Sequence, residues 1–478
     1  MLFNSFEFLY FFLVVTTCYF VLPHKLRWML LLVSSCYFYM AFVPVYILIL
    51  FGTIIIDYMA GICIEKKITA QKQQQARFFL IVSLIANIGI LAVFKYYNFF
   101  IDNTHVLFQS LGMPVELPYL KILLPIGLSF HTFQAMSYTI EVYRGNQKAE
   151  RHFGIYALYV MFYPQLVAGP IERPQQMLHQ FYEKKTFDYD GVKKGLLLML
   201  FGFFKKVVIA DRLGTITDLV FDHPQDYPTS SLILAAVCFS FQIYCDFSGY
   251  TDIAIGSARV MGFKLMENFN QPYHSRSIAE FWNRWHISLS GWFRDYLYIP
   301  LGGNRVALPR WCFNLTIVFL LSGLWHGANW TFIVWGLLHA FYMMTGKLSE
   351  KWRNKMASFI FPRAWMMNSI NVALTFFLVT IAWIFFRANN LNDALYFIAH
   401  MFKYDVTVKL PGGLVYILLS LGLVLVLELI QLLQNRVDLY AWLNKQHLIV
   451  RWMTYYAIIA AIIYFGEFDE VQFVYFQF

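Results

Sequence analysis

Residues 311–345 read WCFNLTIVFLLSGLWHGANWTFIVWGLLHAFYMMT, two apolar runs (311–324 and 330–345) separated by a short polar joint. Apolar runs that approach the length of a bilayer crossing predict transmembrane helices, although the first run is short for one. His326 lies in the joint, at membrane depth. An ionisable side chain there is costly and normally faces a bundle interior or an aqueous cavity, so we expect a functional role for His326.

The rest of the chain has the same apolar character. Hydrophobic residues make up 59% of the 478 residues and charged residues only 14%, whereas a soluble domain carries about a quarter charged residues. Mean hydropathy is +0.53. The predicted fold class is therefore all-α, a polytopic transmembrane helical bundle. No soluble-domain-sized insertion interrupts it, so residues 1–478 are predicted to form a single integral-membrane domain.

Roughly 11–12 spans are predicted, with further interfacial or re-entrant helices. The candidate runs are 6–21, 28–42, 45–64, 78–99, 119–142, 195–221, 231–257, 311–324, 330–345, 368–386, 413–433 and 448–465. The first lacks a basic n-region and a small-residue cleavage site, so it is read as a span and not as a signal peptide. Two X–Pro pairs, at 163–164 and 169–170, predict that 153–167 is broken or re-entrant.

Basic residues are concentrated in particular loops, which accounts for the formal net charge of +9. Such a distribution is better explained by orientation of the protein in the membrane, with basic loops in the cytoplasm, than by binding of nucleic acid. Placing the basic loops in the cytoplasm puts both termini outside, together with the loops 102–118 and 222–230. Lys403 and Lys409 run against this assignment. The six cysteines show no C-x-x-C spacing and indicate neither disulfides nor a metal site.

The region 259–310 is too amphipathic for a plain loop. Aromatic residues interleaved with arginine, as in FWNRW (281–285), predict short interfacial helices. Ser277 with Glu280 matches a capping box, and His286 is expected on the helix that follows. The alternative is that the aromatics are interface anchors and that His286 is a satisfied buried polar group.

Polar residues also cluster in 239–262, FSFQIYCDFSGYTDIAIGSARVMG, within an apparent span. The carboxylates of Asp246 and Asp252 at membrane depth imply a polar cavity. They suit orienting a histidine, binding a cation or lining an aqueous path. The G-x-S-x-G elbow, the P-loop and H-E-x-x-H are absent from the sequence, which argues against enzymes that depend on those motifs.

Three blocks carry a specific resemblance: YCDFSGYTDIAIGSARVMGF (244–263), NFNQPYHSRSIAEFWNRWHISLSGWFRDYLYIPLGGNR (268–305) and LSGLWHGANWTFIVWGLLHA (321–340). They resemble the membrane-bound O-acyltransferase superfamily, in particular its bacterial alginate O-acetylation branch. The D-alanine-transferring protein of teichoic acid modification is a near relative. The resemblance implies a central tunnel, with His326 as the catalytic residue and His286 as the second member of the pair.

The resemblance also implies the reaction. A membrane O-acyltransferase passes an acyl group, here expected to be acetyl, from a cytoplasmic thioester donor such as acetyl-CoA towards an exported or cell-surface polysaccharide. No bound cofactor or metal is expected. The expected partner is a periplasmic SGNH-type acetyltransferase, and the expected location is the bacterial cytoplasmic (inner) membrane. The tunnel or orienting candidates are Asp246, Ser248, Asp252, Asn283 and Asn329, and the candidates for binding donor phosphates are Arg276, Arg284 and Arg305.

Residues 466–478 are expected to form an extracytoplasmic aromatic tail. Its FVYF sequence resembles the C-terminal motif of the small membrane peptide that accompanies the teichoic acid D-alanylation protein, which makes Tyr475 a candidate acyl relay. The alternative for the tail is an aromatic belt at the membrane surface. The alternative for the whole protein is an acyl or glycan transporter or flippase without bond chemistry, or a structural partner of a periplasmic transferase. A transporter is expected to show repeated halves with broken helices, and no such repeat is evident.

Overall fold

The computed structural model describes the chain except for residues 114, 116, 121–124, 126, 168, 354, 356–362, 406, 410, 469–472 and 475–478. Across the described residues every regular element is a helix, and none is a strand. A bilayer offers backbone groups no hydrogen-bond partners, so apolar runs of this length must satisfy those groups internally. The protein is an all-α polytopic membrane protein, which confirms the predicted fold class.

The described chain forms two compact units. The first comprises Met1–Met199 and Thr251–Met266, and the second comprises Leu200–Tyr250 and Glu267–Phe478. The helix Thr229–Val260 passes from one unit into the other, as does the continuous helical stretch 189–222. The single integral domain predicted for 1–478 stays a prediction.

The first unit begins with Phe6–Val21, capped by Ser5, whose hydroxyl accepts the Phe8 N–H. Its other helices are His24–Met40, Pro44–Tyr46, Ile47–Thr69, Gln73–Leu91, Ala92–Tyr96, Tyr97–Ser110, Leu128–Tyr143, Phe153–Met161, Tyr163–Leu166, Pro174–Met177, Leu178–Phe181 and most of Tyr189–Phe203. The buried carboxylate of Asp57 accepts hydrogen bonds from Ser83 (2.6 Å) and Asn87 (2.9 Å), which ties two of these helices together.

The second unit carries a continuous hydrophobic core. Its helices are Phe204–Ala210, Asp211–Asp222, Pro224–Asp226, most of Thr229–Val260, Pro272–His274, Ile278–Arg284, Ile287–Phe293, Arg294–Tyr298, Leu308–His326, Trp330–Leu348, Ala364–Arg387, Leu391–His400, Leu414–Gln434, Leu439–Asn444 and Leu448–Phe465. Two of these, Phe204–Ala210 and Arg294–Tyr298, are π-helical turns. Such turns often occur at functional sites.

Each of the twelve predicted runs contains a helix. Among the described residues, seven helices are long and apolar enough to cross a bilayer: Pro44–Thr69, Gln73–Ser110, Thr229–Val260, Leu308–His326, Ala364–Arg387, Leu414–Gln434 and Leu448–Phe465. The run 311–324, predicted to be short for a span, extends to 19 residues as Leu308–His326. The broken segment predicted at 153–167 is confirmed, because Phe153–Met161 and Tyr163–Leu166 are separated at Phe162.

One predicted loop is largely helical. Residues 102–110 belong to Gln73–Ser110, a helical stretch of 38 residues. At a rise of about 1.5 Å per residue this helix is longer than the hydrocarbon thickness, so one end projects beyond it. The sequence-based prediction placed the boundary too early because Asp102 and Asn103 were read as the start of a loop.

The short helices predicted within 259–310 are present as Ile278–Arg284 and Ile287–Phe293. Phe281 and Trp285 are almost fully buried within the protein, so they are core residues and not interface anchors. Ser277 caps the first helix, since its hydroxyl accepts the Glu280 N–H at 3.1 Å. The capping box is only half formed, because the Glu280 carboxylate accepts the backbone N–H of Arg276.

Candidate active site

His286 lies between two short helices, and the prediction that it continues the helix starting after Ser277 is wrong. That helix ends at Arg284, and His286 occupies the N-cap position of Ile287–Phe293 with φ 44° and ψ 55°. A left-handed backbone at a residue other than glycine costs on the order of 1–3 kcal/mol and is found preferentially at functional sites. The strained turn directs the ring into the interior, where the residue is 1% exposed.

The proton position on His286 follows from its partner. Asn268 Oδ1 accepts a backbone N–H from Ser288 at 3.1 Å and the Ser288 hydroxyl at 2.8 Å. A backbone N–H only donates, so this atom of the amide must be the oxygen. The same oxygen lies 3.1 Å from His286 Nδ1. Nδ1 therefore carries the hydrogen, and in the neutral ring Nε2 is the nitrogen with the lone pair.

Burial keeps this imidazole neutral. Desolvation lowers the pKa of His286 from 6.5 to about 3, because the charged ring cannot be hydrated there. Its neighbours are aromatic: Phe247 lies 4.6 Å away, Trp325 6.0 Å and Phe269 6.3 Å between ring centroids. A neutral imidazole of fixed tautomer suits accepting a hydrogen bond.

His326 is the last residue of the helix Leu308–His326 and is 5% exposed. Its ring is surrounded by Trp325, Trp335 and Phe386, with centroid distances of 4.8, 4.9 and 5.2 Å. The chain turns directly after it, because Gly327 adopts an extended conformation and Asn329 starts the next helix. The structure thus places His326 at a helix end inside an aromatic enclosure.

The two histidines share one neighbour. The ring of Trp325 lies 6.0 Å from that of His286 and 4.8 Å from that of His326, between centroids. Both histidines belong to the second unit. The structure therefore places around one indole two histidines that are 40 positions apart in the sequence, with the helices Ile287–Phe293 and Arg294–Tyr298 and most of Leu308–His326 between them.

Gly323, beside His326, has a packing role. A Cβ atom there would lie 2.3 Å from the carbonyl oxygen of Phe332, and one on Gly336 would lie 2.3 Å from that of Phe319. The two glycines let Leu308–His326 and Trp330–Leu348 approach closely, as small residues do at helix contacts in membranes. This close packing fixes the helix end that carries His326.

Asp246 joins a buried ionic cluster. Lys206 Nζ lies 2.7 Å from Asp246 Oδ1 and 2.6 Å from Asp211 Oδ1, and all three side chains are nearly inaccessible. The neighbouring Lys205 donates to the Ser248 hydroxyl at 2.9 Å. The other oxygen of Asp246, Oδ2, accepts the backbone N–H of Val474 at 2.7 Å. This carboxylate therefore holds the tail segment instead of touching either histidine.

The remaining polar candidates differ in their surroundings. Asp252 is half-buried and belongs to the first unit. Asn283 is exposed. Asn329 caps Trp330–Leu348, since its side-chain oxygen accepts the Thr331 N–H at 3.1 Å. Tyr475 falls outside the described residues.

Two of the three arginines predicted to bind the donor phosphates are already paired with a carboxylate. Arg276 and Arg284 both pair with Glu280, at 3.2 and 2.8 Å. Arg305 is exposed. Across the described part of the chain, no group of three or more His, Cys, Asp or Glu side chains is arranged to hold a metal ion.

Reasoning from the sequence missed Asn268, Lys206 and Asp211. The lysines did leave a signal, since Lys205 and Lys206 interrupt the apolar run 195–221, and charges at membrane depth normally face a partner. Asn268 left none, because its contact with His286 spans 18 residues and arises from the strained turn.

The chain is similar to known proteins over most of its length. Residues 152–388, which include both histidines, match the model of the MBOAT, membrane-bound O-acyltransferase family. The probable alginate O-acetylase AlgI of Pseudomonas aeruginosa is 40% identical over 406 residues, which are 84% of this chain and 75% of the relative.

Two further relatives differ in their acceptors or acyl groups. The peptidoglycan O-acetyltransferase of Helicobacter pylori is 38% identical over 378 residues, 73% of this chain and 69% of the relative. The teichoic acid D-alanyltransferase of Bacillus subtilis is 31% identical over 243 residues, 48% of this chain and 60% of the relative. These relatives are transferases, which disfavours the transporter alternative. The chain belongs to the membrane-bound O-acyltransferase family and is an O-acyltransferase.

Proposed function

We propose that the protein transfers an acetyl group from a cytoplasmic thioester, such as acetyl-CoA, through the membrane for O-acetylation of an exported or cell-surface polysaccharide. The relatives named for alginate and peptidoglycan O-acetylation support the acetyl group and the polymeric acceptor. The observation that carries the site assignment is the pairing of two buried histidines around Trp325.

His326 is assigned as the general base. Its ring removes the proton of the attacking hydroxyl as the oxygen bonds to the thioester carbonyl. The carbon–sulfur bond then breaks, and the thiolate takes up the proton from the imidazolium to leave as a thiol. Proton transfer by a positioned imidazole contributes typically about 10²–10⁴-fold to such a rate.

His286 is assigned a supporting role. Its neutral ring, held by Asn268, presents Nε2 as an acceptor and adds no charge to the site. It supports His326 by orienting the hydroxyl or the donor and does not duplicate the base. Replacing His286 with alanine is expected to reduce transfer strongly.

The acyl group is proposed to leave the membrane on Tyr475. A phenyl ester is more reactive than an alkyl ester, so a periplasmic SGNH-type transferase collects the acetyl group from it and passes it to the polymer. Support comes from the neighbouring Phe473 and Val474, which are buried in the second unit beside Asp246. The protein is assigned to the bacterial inner membrane, with both termini extracytoplasmic.

Exposed Arg305 is the proposed contact for donor phosphates. Guanidinium groups bind phosphate oxygens well, because they present several donors in one plane. Arg276 and Arg284 would first have to leave Glu280, so they are secondary candidates.

Tyr475→Phe tests this route, because it removes one hydroxyl and keeps the ring. We expect polymer acetylation to be lost and an acetyl ester on Tyr475 to accumulate in the wild-type protein when the periplasmic partner is missing. The ester is measured by mass spectrometry of the C-terminal peptide. Tyr464→Phe is the matched control, since Tyr464 is 81% exposed and lies on Leu448–Phe465. Normal polymer acetylation by Tyr475→Phe would contradict the relay and favour the alternative that the tail is an aromatic belt at the membrane surface.

A further inference from the structure

The tail segment is attached to the second unit at two places. The first attachment is at its beginning. The Glu467 N–H donates to the carbonyl of Val207 at 2.9 Å, and the Glu467 carboxylate pairs with Arg212 at 2.9 Å. Arg212 also donates to the carbonyl of Phe465 at 2.9 Å. The start of the tail is therefore bound to the π-turn at Phe204–Ala210 and to the helix that follows it.

The second attachment is at Phe473 and Val474. Phe473 is fully buried, and its ring lies 4.5 Å from that of Tyr250 and 5.5 Å from that of Phe247. The Val474 N–H donates to Asp246 Oδ2 at 2.7 Å. A buried hydrogen bond between a backbone N–H and a carboxylate is among the stronger kinds.

The carboxylate that accepts this bond is held in place by Lys206. An unpaired carboxylate in such an interior would be strongly destabilised, and the ammonium group 2.7 Å away offsets that cost. Lys206 is positioned in turn by Asp211, on the other side of the π-turn. A Cβ on Gly249 would lie 3.1 Å from the Lys206 backbone nitrogen, so close helix packing fixes this lysine as well.

The attachment also reaches the histidine site. Phe247 contacts the Phe473 ring on one side and the His286 ring, at 4.6 Å, on the other. Phe247 therefore contacts both the buried tail residue and the neutral imidazole. The residue after Val474 in the sequence is Tyr475, the proposed relay.

We infer that Lys206, Asp211 and Asp246 form a docking site for the main chain of the tail, in which Asp246 binds the Val474 N–H and Phe473 fills the pocket between Phe247 and Tyr250. Asp246 and Lys206 are positioning residues in this scheme. The inference adds a role to the proposed function, because it supplies the element that presents Tyr475. The recognition itself uses a backbone N–H and one aromatic ring, and does not depend on the chemistry at Tyr475.

The test uses proline to remove a single hydrogen. Val474→Pro eliminates the N–H that Asp246 accepts, and Val474→Ala keeps it, so the pair separates the bond from the side chain. Full-length protein in detergent micelles is treated briefly with chymotrypsin, and cleavage after Tyr475 and Phe476 is measured by mass spectrometry, because these bonds follow the substituted residue and remain cleavable in both variants. We expect cleavage of Val474→Pro to be about 10- to 100-fold faster than that of Val474→Ala, because a bond to a charged acceptor is lost.

A double-mutant cycle assigns the effect to Asp246. Asp246→Ala alone should speed the same cleavage to a similar extent, and combining it with Val474→Pro should add little, since both remove the same bond. Asp246→Asn, which keeps a neutral oxygen acceptor, should lie between wild type and Asp246→Ala. Equal cleavage of Val474→Pro and Val474→Ala, or fully additive effects, would overturn the docking site.

Acetylation of the polymer, measured in cells that express the same variants, separates this inference from the proposed function. Faster cleavage with loss of acetylation supports both. Faster cleavage with normal acetylation supports the docking site and shows that acetylation does not require it, while the role of Tyr475 is decided by Tyr475→Phe. Unchanged cleavage overturns the docking site, whatever the effect of Tyr475→Phe.

Discussion

Asn268 determines which nitrogen of His286 is protonated. Its side-chain oxygen gathers three donors, two from Ser288 and one from the imidazole. Residues that fix the tautomer of a functional histidine act through orientation and basicity, without contacting substrate. At the scale of single residues, the site thus depends on the side-chain amide of Asn268, which orients His286 and does not itself react.

Asn268→Ala is expected to lower kcat for acetyl transfer by about 10- to 100-fold while KM for the donor stays nearly constant, as for other orienting residues. The reason is that Nδ1 loses its acceptor and the ring becomes free to change tautomer. Ser288→Ala is the comparison, because it removes one donor to the same oxygen and the longer 3.4 Å contact of the hydroxyl with His286 Nδ1, and keeps the bond between Asn268 and His286. An unchanged kcat in Asn268→Ala protein, at wild-type thermal stability, would exclude this role.

At the scale of helices, Leu308–His326 and Trp330–Leu348 pack closely against each other. Gly323 and Gly336 face each other there, with space for no side chain. Van der Waals packing between closely approaching backbones stabilises such contacts in lipid. Burial of apolar surface adds little free energy there, because lipid tails are as apolar as the side chains. The position of His326 at the end of one of these helices follows from that contact.

Gly336→Ala should destabilise the protein by about 1–3 kcal/mol, because its Cβ would meet the Phe319 carbonyl and overpack the contact. Gly346→Ala lies on the same helix with no atom within 4 Å of the added Cβ. It should be neutral or stabilising by up to about 1 kcal/mol, since alanine favours helix. Thermal unfolding in detergent distinguishes them, and equal melting temperatures would contradict the packing role of Gly336.

The helices could be predicted from the sequence because the hydropathy of a segment alone shows that its backbone must be hydrogen-bonded within the segment. Every apolar run must satisfy its backbone internally, so a run such as 448–465 becomes a helix whatever surrounds it. His326 was identified for the same reason, as a costly group inside such a run. Both inferences require only the identities of residues that are close to one another in the sequence.

The contacts that build the site are not local. Asn268 meets His286 across a strained turn, and Asp246 meets Val474 across 228 residues. No period or spacing encodes such pairs. The charges of Lys206 and Asp211 were visible in the sequence, but which groups they face depends on how the π-turn at Phe204–Ala210 rotates the helix.

At the scale of the whole molecule, the proposed route requires a defined orientation in the membrane. Basic loops are expected inside, because positively charged segments are retained in the cytoplasm. The segment 65–77 and the end of the helix Tyr97–Ser110 would then lie on opposite sides of the membrane.

A cysteine at Gln74 should resist an impermeant maleimide added to intact cells, whereas one at Gln109 should be labelled. Both side chains are exposed, so access through the protein does not differ between them. Permeabilised cells serve as the control, since both positions should react there. The reverse pattern in intact cells would overturn the orientation and the direction of transfer.

The central claim is that His326 performs the chemistry, and His339 provides a matched comparison. Both are buried among aromatic rings, and both contact Trp335. His339 Nδ1 accepts the indole N–H of Trp282 at 3.3 Å, which is a structural contact.

The most direct measurement is the rate at which purified protein in lipid vesicles releases free thiol from acetyl-CoA. His326→Gln should reduce that rate by at least about 100-fold, as expected for loss of a general base. His339→Gln should retain it, even if its melting temperature falls. A folded His326→Gln protein that released thiol at the wild-type rate would contradict the assignment of His326 as the base.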